Sequence, residues 1–198
     1  MRVKGGGAID SAEEIFKKSR AILRGHFLLT SGLHSPVYWE KFRVLQYPNY
    51  TEQLCRIIAD HFREQQIQVV AGPTTGGVII AFEVAKQLGA RGIFAEKEGE
   101  RRSFRRGFTI SPGERVLVVD DILTTGGSIR EVIAAVTECS GKVIGIGVLV
   151  DRSEQPSNFG VPLFSCFQAL THVYTPEECP LCAARIPLVK PGSSQAIP

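Results

Sequence analysis

With 198 residues, the chain is long enough to bury a sizeable core and suits a single domain. A hydrophobic content of 43% and a charged content of 22% are ordinary for a globular protein, and a net charge of +3 is too small for a general nucleic-acid binder, which concentrates a basic face. The longest apolar run, 143–150, is too short to span a bilayer.

The first ten residues, MRVKGGGAID, lack the apolar stretch of a signal peptide, and Gly5-Gly6-Gly7 reads as a lead-in. Five cysteines, three of them (Cys55, Cys139, Cys166) widely spaced in apolar surroundings, fit a reducing compartment better than a disulfide framework. A cytoplasmic protein with no membrane or nucleic-acid partner is expected.

Ser11 and Glu14 have capping-box spacing, and Ile15, Ile22 and Leu23 recur at helical spacing, so a helix is predicted that ends at Gly25. Turn signals at Ser31-Gly32 and Ser35-Pro36 separate strand-like pieces at 27–29 and 37–39, an edge hairpin or a ligand-covering flap. Over 49–65, Leu54, Ile57, Ile58 and Phe62 form one helical face, with Asn49 and Glu52 at capping-box spacing. From residue 67 strands and helices alternate: a strand at 67–71, a loop at 72–77, a helix at 78–88 stopped by Gly89, and a strand at 92–96. Residues 97–107 have no hydrophobic period, and 108–110 with 115–119 read as a hairpin around the turn at 111–114. A helix at 128–139 and a buried strand at 142–150 follow. Such repetition implies one domain built on a parallel sheet with helices on both faces. After Arg152 the pattern loosens into a loop at 156–160, one more strand at 161–167 and a Pro-rich cover or tail over 175–198.

In open α/β sheets ligands sit beyond the carboxyl ends of the strands. Three loops fall there: 72–77, 96–107 and 120–128. In the third, VLVV is followed by Asp120 and Asp121, then by Thr124, Thr125, Gly126, Gly127 and Ser128 at a helix start. Backbone N–H groups in a Gly-rich turn form an anion nest, and the helix dipole and hydroxyls add to it. That is a receptor for a phosphate monoester. The two carboxylates suit the hydroxyls of an attached sugar and can help hold a divalent cation. GPTTGGV begins like a P-loop, but Val78 stands where a P-loop carries Lys, and no strand–turn–helix here carries GxGxxG. Residues 96–107 hold five basic side chains (Lys97, Arg101, Arg102, Arg105, Arg106) and three acidic ones (Glu96, Glu98, Glu100), by composition a solvated, salt-bridged hairpin. Cys179-Pro180-Leu181-Cys182 is a lone CxxC, half of the usual zinc set, and reads as two thiols in a tail hinge, with metal binding the minority reading. His26, His34, His61 and His172 show no ligand spacing.

VLVVDDILTTGGS closely resembles the phosphoribosyl pyrophosphate (PRPP) signature of the type I phosphoribosyltransferases. GHFLLTSGLHSPVY, VVAGPTTGGVIIAFEVA, FAEKEGERRSFRRGF, GVLVDR and PEECPLCAARIPLVKPGS extend the resemblance to the orotate phosphoribosyltransferases, over most of residues 25–193. The implied fold is a central parallel sheet flanked by helices, core about 50–152, with a small hood from about 10–48 and 153–198 and a mobile catalytic loop. The implied reaction joins PRPP and orotate into orotidine 5′-monophosphate and pyrophosphate, with Mg²⁺, in a homodimer whose catalytic loop reaches the neighbouring site.

By the same resemblance, Asp120 and Asp121 contact the ribose hydroxyls, and the PRPP site runs on through Ile122, Leu123, Thr124, Thr125, Gly126, Gly127 and Ser128, the last five cradling the 5′-phosphate. Thr74, Thr75, Gly76 and Gly77 form a pyrophosphate loop with a strained backbone. Lys97 matches the catalytic-loop lysine, with Arg101 or Arg102 as further catalytic candidates, and Arg105 also open, where many relatives carry Lys and His. Arg152 matches an orotate-carboxylate ligand, with Tyr38, Lys41 and Thr124 as further orotate contacts. Two positions depart from the commoner pattern: Thr30 and Gly76 stand where many orotate enzymes carry Lys, and Lys41 or a loop arginine is the candidate replacement. They leave open another nucleobase as acceptor, or a non-catalytic PRPP sensor on the same fold.

Overall fold

The computed structural model describes residues 10–29, 31–153, 157–169 and 172–191. Gly5-Gly6-Gly7, Thr30 and Pro156 therefore lie outside the described residues.

Helix α1 (Ala12–Lys18) starts at the expected capping box, in which Glu14 N–H donates to Ser11 Oγ at 3.3 Å and Ser11 N–H donates to Glu14 Oε2 at 2.8 Å. It stops at Ser19, well before Gly25. Arg20 takes a φ of 53°, and Ala21 N–H closes back on Phe16 O, a left-handed helix end. Ile22 and Leu23, expected on this helix, instead open strand β1 (Ile22–Leu28). β1 pairs antiparallel with β2 (His34–Trp39). A two-stranded ribbon is marginal alone. This one is anchored by Trp39, whose ring lies 5.2 Å from Phe16 and 5.7 Å from Phe167. The C-terminal segment holds its other side through bridges at Phe27–Val189 and His34–Tyr174. Both ends of the chain thus build one hood.

Short helix α2 (Phe42–Leu45) leads into α3 (Pro48–Phe62). Asn49 and Glu52 do not cap α3: its N-cap is Tyr47 and both residues lie inside the helix. Pro48 occupies the first turn, where its fixed φ suits a helix and its missing N–H is not needed.

The main sheet contains β3 (Val69–Pro73), β4 (Arg91–Glu98), β5 (Arg101–Phe104), β6 (Arg115–Leu123), β7 (Lys142–Asp151) and β8 (Leu163–Gln168), in the order β5-β4-β3-β6-β7-β8. All pairs are parallel except β4–β5. Helices α4 (Gly76–Leu88) and α5 (Gly127–Glu138) cross between the strands. The aperiodic 97–107 stretch is largely the charged, salt-bridged antiparallel hairpin its composition suggests, β4–β5. One expectation needs correction. Residues 108–110 form no strand: both edges of β6 are already taken by β3 and β7, and Phe108 packs edge-on to Phe94 at 5.0 Å while Ile110 is buried.

Alternation along the central strands divides the core. Val70, Leu117 and Val119 face α3 and α4, whereas Val69, Ala71, Val116 and Val118 face Ile129, Val132 and Val136 of α5. Among the described residues no helix is long and apolar enough to cross a membrane.

Gly147 on β7 has no room for a side chain, since a Cβ would meet Ile58 Cγ2 at 2.5 Å. Gly147→Ala is therefore expected to cost about 1–3 kcal/mol by overpacking. Ile58→Ala, at a fully buried position, should cost about 2–5 kcal/mol. The double variant should lose clearly less than the sum in urea unfolding; strict additivity would show that the two sites do not touch.

Candidate functional site

β6 carries its apolar alternation straight into Asp120 and Asp121, so the two carboxylates point to opposite faces of the sheet. Both are buried, at 6% and 4% exposure. Asp120 turns toward α5: its Oδ2 accepts from the Ser128 hydroxyl at 2.7 Å and its Oδ1 accepts from Asp121 N–H at 2.8 Å. Asp121 turns toward α4 and the hood: its Oδ1 accepts from Ile122 N–H at 2.7 Å and its Oδ2 meets Lys41 Nζ at 2.7 Å. Burial, and then the neighbouring Asp121 charge, push the Asp120 carboxyl up to about 6, against a partial lowering by Ser128.

Gly126 caps α5 with a φ of 78°, and a Cβ there would meet the Phe159 ring at 2.7 Å. A glycine is required on both counts. It brings no side chain to the first-turn N–H groups of α5, which are left facing outward beside Thr124, Thr125 and Gly127, all exposed. That is an anion seat next to a pair of acids. Ile122 packs against the α3–α4 side and Leu123 against the α5 side, so only their backbones are available to a ligand.

The β3–α4 turn lies alongside. The Thr74–Thr75 peptide is cis. Gly76 approaches Asp121 so closely that a Cβ would sit 1.8 Å from Oδ2. The glycine that departs from the commoner pattern is thus the residue this arrangement of Asp121 permits, while Lys41 supplies the cation from the hood. Arg102 reaches the same turn from β5: its Nη1 donates to Thr74 Oγ1 at 3.1 Å and to Ala95 O at 3.2 Å, and its Nε pairs with Glu131 Oε2 at 3.0 Å. Glu131, on α5, was not singled out from the sequence.

Lys97 is the cross-strand partner of Arg102, so both project from the same face of the hairpin, and Lys97 is exposed. Arg101 pairs with Glu98 and lies on the opposite face. Arg105 and Arg106 are engaged by Glu98 and Glu96 at 3.6 and 2.8 Å. The two arginine candidates are therefore separated, with Arg102 on the turn and Arg101 away from it.

Arg152 follows β7 and its N–H donates to Leu123 O at 2.8 Å, which fixes it beside the acid pair. Its Nε is buried with no hydrogen-bond partner among the described residues, and burial holds the guanidinium below its usual range. Tyr38 is near enough for Arg152, Lys41 and Asp121 to influence its phenol, which burial and then Glu40 push upward. Tyr38, Lys41 and Arg152 thus lie close together, a candidate wall beside Asp121.

Because the Asp120 carboxyl keeps its proton to about pH 6 in the fold but loses it near 3.8 when unfolded, the native state loses stability as pH rises between those values. The step amounts to at most about 2–3 kcal/mol. Asp120→Asn removes it, so the Tm of the variant should gain on that of the wild type from pH about 4 to about 6. A difference independent of pH would contradict the assignment.

The Phosphoribosyl transferase domain family matches residues 43–174, more than half of the chain. The chain is 53% identical over 180 residues to the orotate phosphoribosyltransferase of Caldanaerobacter subterraneus subsp. tengcongensis, covering 91% of this chain and 95% of that one. It is 52% identical over 184 residues to the orotate phosphoribosyltransferase of Pelotomaculum thermopropionicum, covering 93% and 97%. Among solved structures, orotate phosphoribosyltransferase from Aeropyrum pernix aligns with a TM-score of 0.65 at 29% identity, over 79% of this chain and 93% of that one. The full-length matches take in the hood as well as the sheet core. The chain belongs to the phosphoribosyltransferase family and, within it, to the orotate phosphoribosyltransferases.

Proposed function

We propose that the chain transfers the phosphoribosyl group of PRPP to orotate, forming orotidine 5′-monophosphate and pyrophosphate in pyrimidine biosynthesis. The observation that carries this reading is the buried Asp120–Asp121 pair, set beside an α5 anion seat and near Arg152, whose buried Nε has no hydrogen-bond partner among the described residues. A phosphorylated sugar fits the first half and a planar carboxylate base the second.

In this reading the α5 N-terminus, including the Ser128 N–H, and the Thr124 and Thr125 hydroxyls receive the 5′-phosphate, while the Ser128 hydroxyl stays on Asp120. Asp120 and Asp121 accept hydrogen bonds from the ribose hydroxyls. Arg152 forks onto the orotate carboxylate, with Tyr38 beside the ring. The residues 74–77 turn, tied to Arg102, receives the pyrophosphate. N1 of orotate displaces pyrophosphate from the anomeric carbon through an oxocarbenium-like state. Alignment of base and sugar, and neutralisation of the leaving group, supply the acceleration. Lys97 and Arg102, on one face of the β4–β5 hairpin, are placed to neutralise that charge.

The oxygen-only donor set at Asp120 and Asp121 suits a hard cation such as Mg²⁺, which keeps most of its ligands from water and phosphate. Mg²⁺ would polarise the departing pyrophosphate.

A homodimer is the proposed assembly. Phe82 is 69% exposed and, with the exposed Ile79, lines a groove of about 370 Å³ between α2, α3 and α4, while Phe42 of α2 and Tyr47, just before α3 in the chain, are exposed as well. An apolar surface of this kind is normally covered, and a second copy of the chain is its natural cover. The β4–β5 hairpin would then serve the neighbouring site. Five free cysteines favour the cytoplasm.

With PRPP and Mg²⁺, pyrophosphate release is expected with orotate and not with adenine, hypoxanthine or uracil; equal release with a purine would overturn the acceptor. Lys97→Ala should lower kcat by a factor of about 10–1000 with little change in PRPP affinity, and an unchanged kcat would remove Lys97 from the transition state. Mixing inactive Lys97→Ala with inactive Asp120→Asn/Asp121→Asn chains should restore activity if the loop serves its neighbour; no recovery in confirmed mixed dimers would place the loop in its own site.

A further inference from the structure

The fold brings together four side chains from opposite ends of the chain. His26 lies on β1, His34 opens β2, and Cys179 and Cys182 flank the start of α6 (Pro180–Ala183). Their potential ligand atoms all lie within 4.8 Å of one another. His26 Nε2 is 3.5 Å from Cys179 Sγ and 3.7 Å from Cys182 Sγ; His34 Nδ1 is 3.3 Å from Cys182 Sγ; the two imidazole nitrogens are 2.9 Å apart. We propose that these residues form a structural Zn²⁺ site that locks the C-terminal cover onto the β1–β2 hood.

Three of the six separations match the edges of a tetrahedral site, and the other three need adjustment of about an ångström or less. With Zn–S of about 2.3 Å and Zn–N of about 2.0–2.1 Å, a tetrahedral site has N···S edges of about 3.5–3.6 Å and an N···N edge of about 3.3–3.4 Å. The three N···S separations bracket that value, and the imidazoles need to part by only a few tenths of an ångström. An S₂N₂ set of this shape selects zinc over magnesium or calcium. Two thiolates also neutralise a divalent ion, so the loaded site carries no net charge into a buried position.

The supporting shell is present. His26 Nδ1 lies 2.8 Å from Ile186 O, so it carries the proton and leaves Nε2 as the free lone pair that faces the cysteines. A metal-bound histidine typically donates its other ring N–H to a backbone carbonyl in this way. His26, His34 and Cys179 are 2%, 4% and 3% exposed, while Cys182 is exposed and offers an entry route.

The position gives the site a role. Residues 172–191 also touch the hood through the Phe27–Val189 and His34–Tyr174 bridges and the His26–Ile186 hydrogen bond. The ion would fasten β2 at its first residue, and β2 runs directly to Tyr38 and on toward Lys41 beside Asp121. It would act on the acceptor wall by holding it, without touching substrate.

The test is metal analysis of untagged protein grown with zinc and purified without chelator. About one zinc per chain is expected; Cys179→Ser and His34→Ala should reduce it to background, and Cys139→Ser should retain it. Chelation should lower Tm, with recovery on adding Zn²⁺ and not Mg²⁺. Because the ligand variants can fail to fold, the wild type should also be loaded with Co²⁺, which must show the thiolate charge-transfer and tetrahedral ligand-field bands of an S₂N₂ site. Metal-free protein with an unchanged Tm and no such bands would overturn the proposal, as would a Cys179–Cys182 disulfide found by mass under non-reducing conditions.

Discussion

Placing two adjacent carboxylates in a protein interior is opposed by desolvation of several kcal/mol per ion and by their mutual repulsion. β6 does so at Asp120 and Asp121 by sending them to opposite faces of the sheet. Ser128 and a backbone N–H answer the first; Lys41 and a backbone N–H answer the second. The compensation is incomplete, which is why the Asp120 carboxyl titrates near 6. Sugar hydroxyls and a cation would complete it, so the strain on this pair is a preference for ligand.

That division of faces organises the molecule. Asp120 belongs to the α5 side, with the anion seat; Asp121 belongs to the α4 side, with the β3–α4 turn and the hood. The closeness of Gly76 to Asp121 and the ion pair with Lys41 join the hood to the catalytic sheet through one carboxylate. A lysine at position 76 would have to displace that carboxylate, so Lys41 and Gly76 form a consistent pair. Arg102 makes an equivalent link on the other side, joining the β4–β5 hairpin to both the turn and Glu131 of α5.

Much of this was legible in the residues. VLVVDD followed by TTGGS has few structural solutions, because an apolar run, two acids and a glycine-capped helix must fall in that order at a strand end. The central strands β3, β6 and β7 were readable because buried parallel strands are near-continuous apolar runs. What was not legible depended on partners. Ile22 and Leu23 fit a helical period, but the left-handed turn at Arg20 ends the helix first. β5 is a four-residue strand, Arg-Arg-Ser-Phe, too short and too polar to show an apolar period. Phe108 and Ile110 look like a strand because both are apolar, although partly buried Phe108 packs against Phe94 and buried Ile110 belongs to the α5 side of the core. The His26–Cys179 contact spans 153 residues, so neither half reads as a ligand set without the fold.

The central claim is that the buried acid pair is the ribose receptor, separate from the acceptor wall. Equilibrium titration of PRPP with Mg²⁺ into wild type, Asp120→Asn/Asp121→Asn and Arg152→Ala tests it most directly. Losing charge-assisted hydrogen bonds worth about 1.5–3 kcal/mol each should weaken PRPP binding by about two to four orders of magnitude in the acid-pair variant. In Arg152→Ala it should be nearly unchanged. Wild-type PRPP affinity in a folded acid-pair variant would contradict the account.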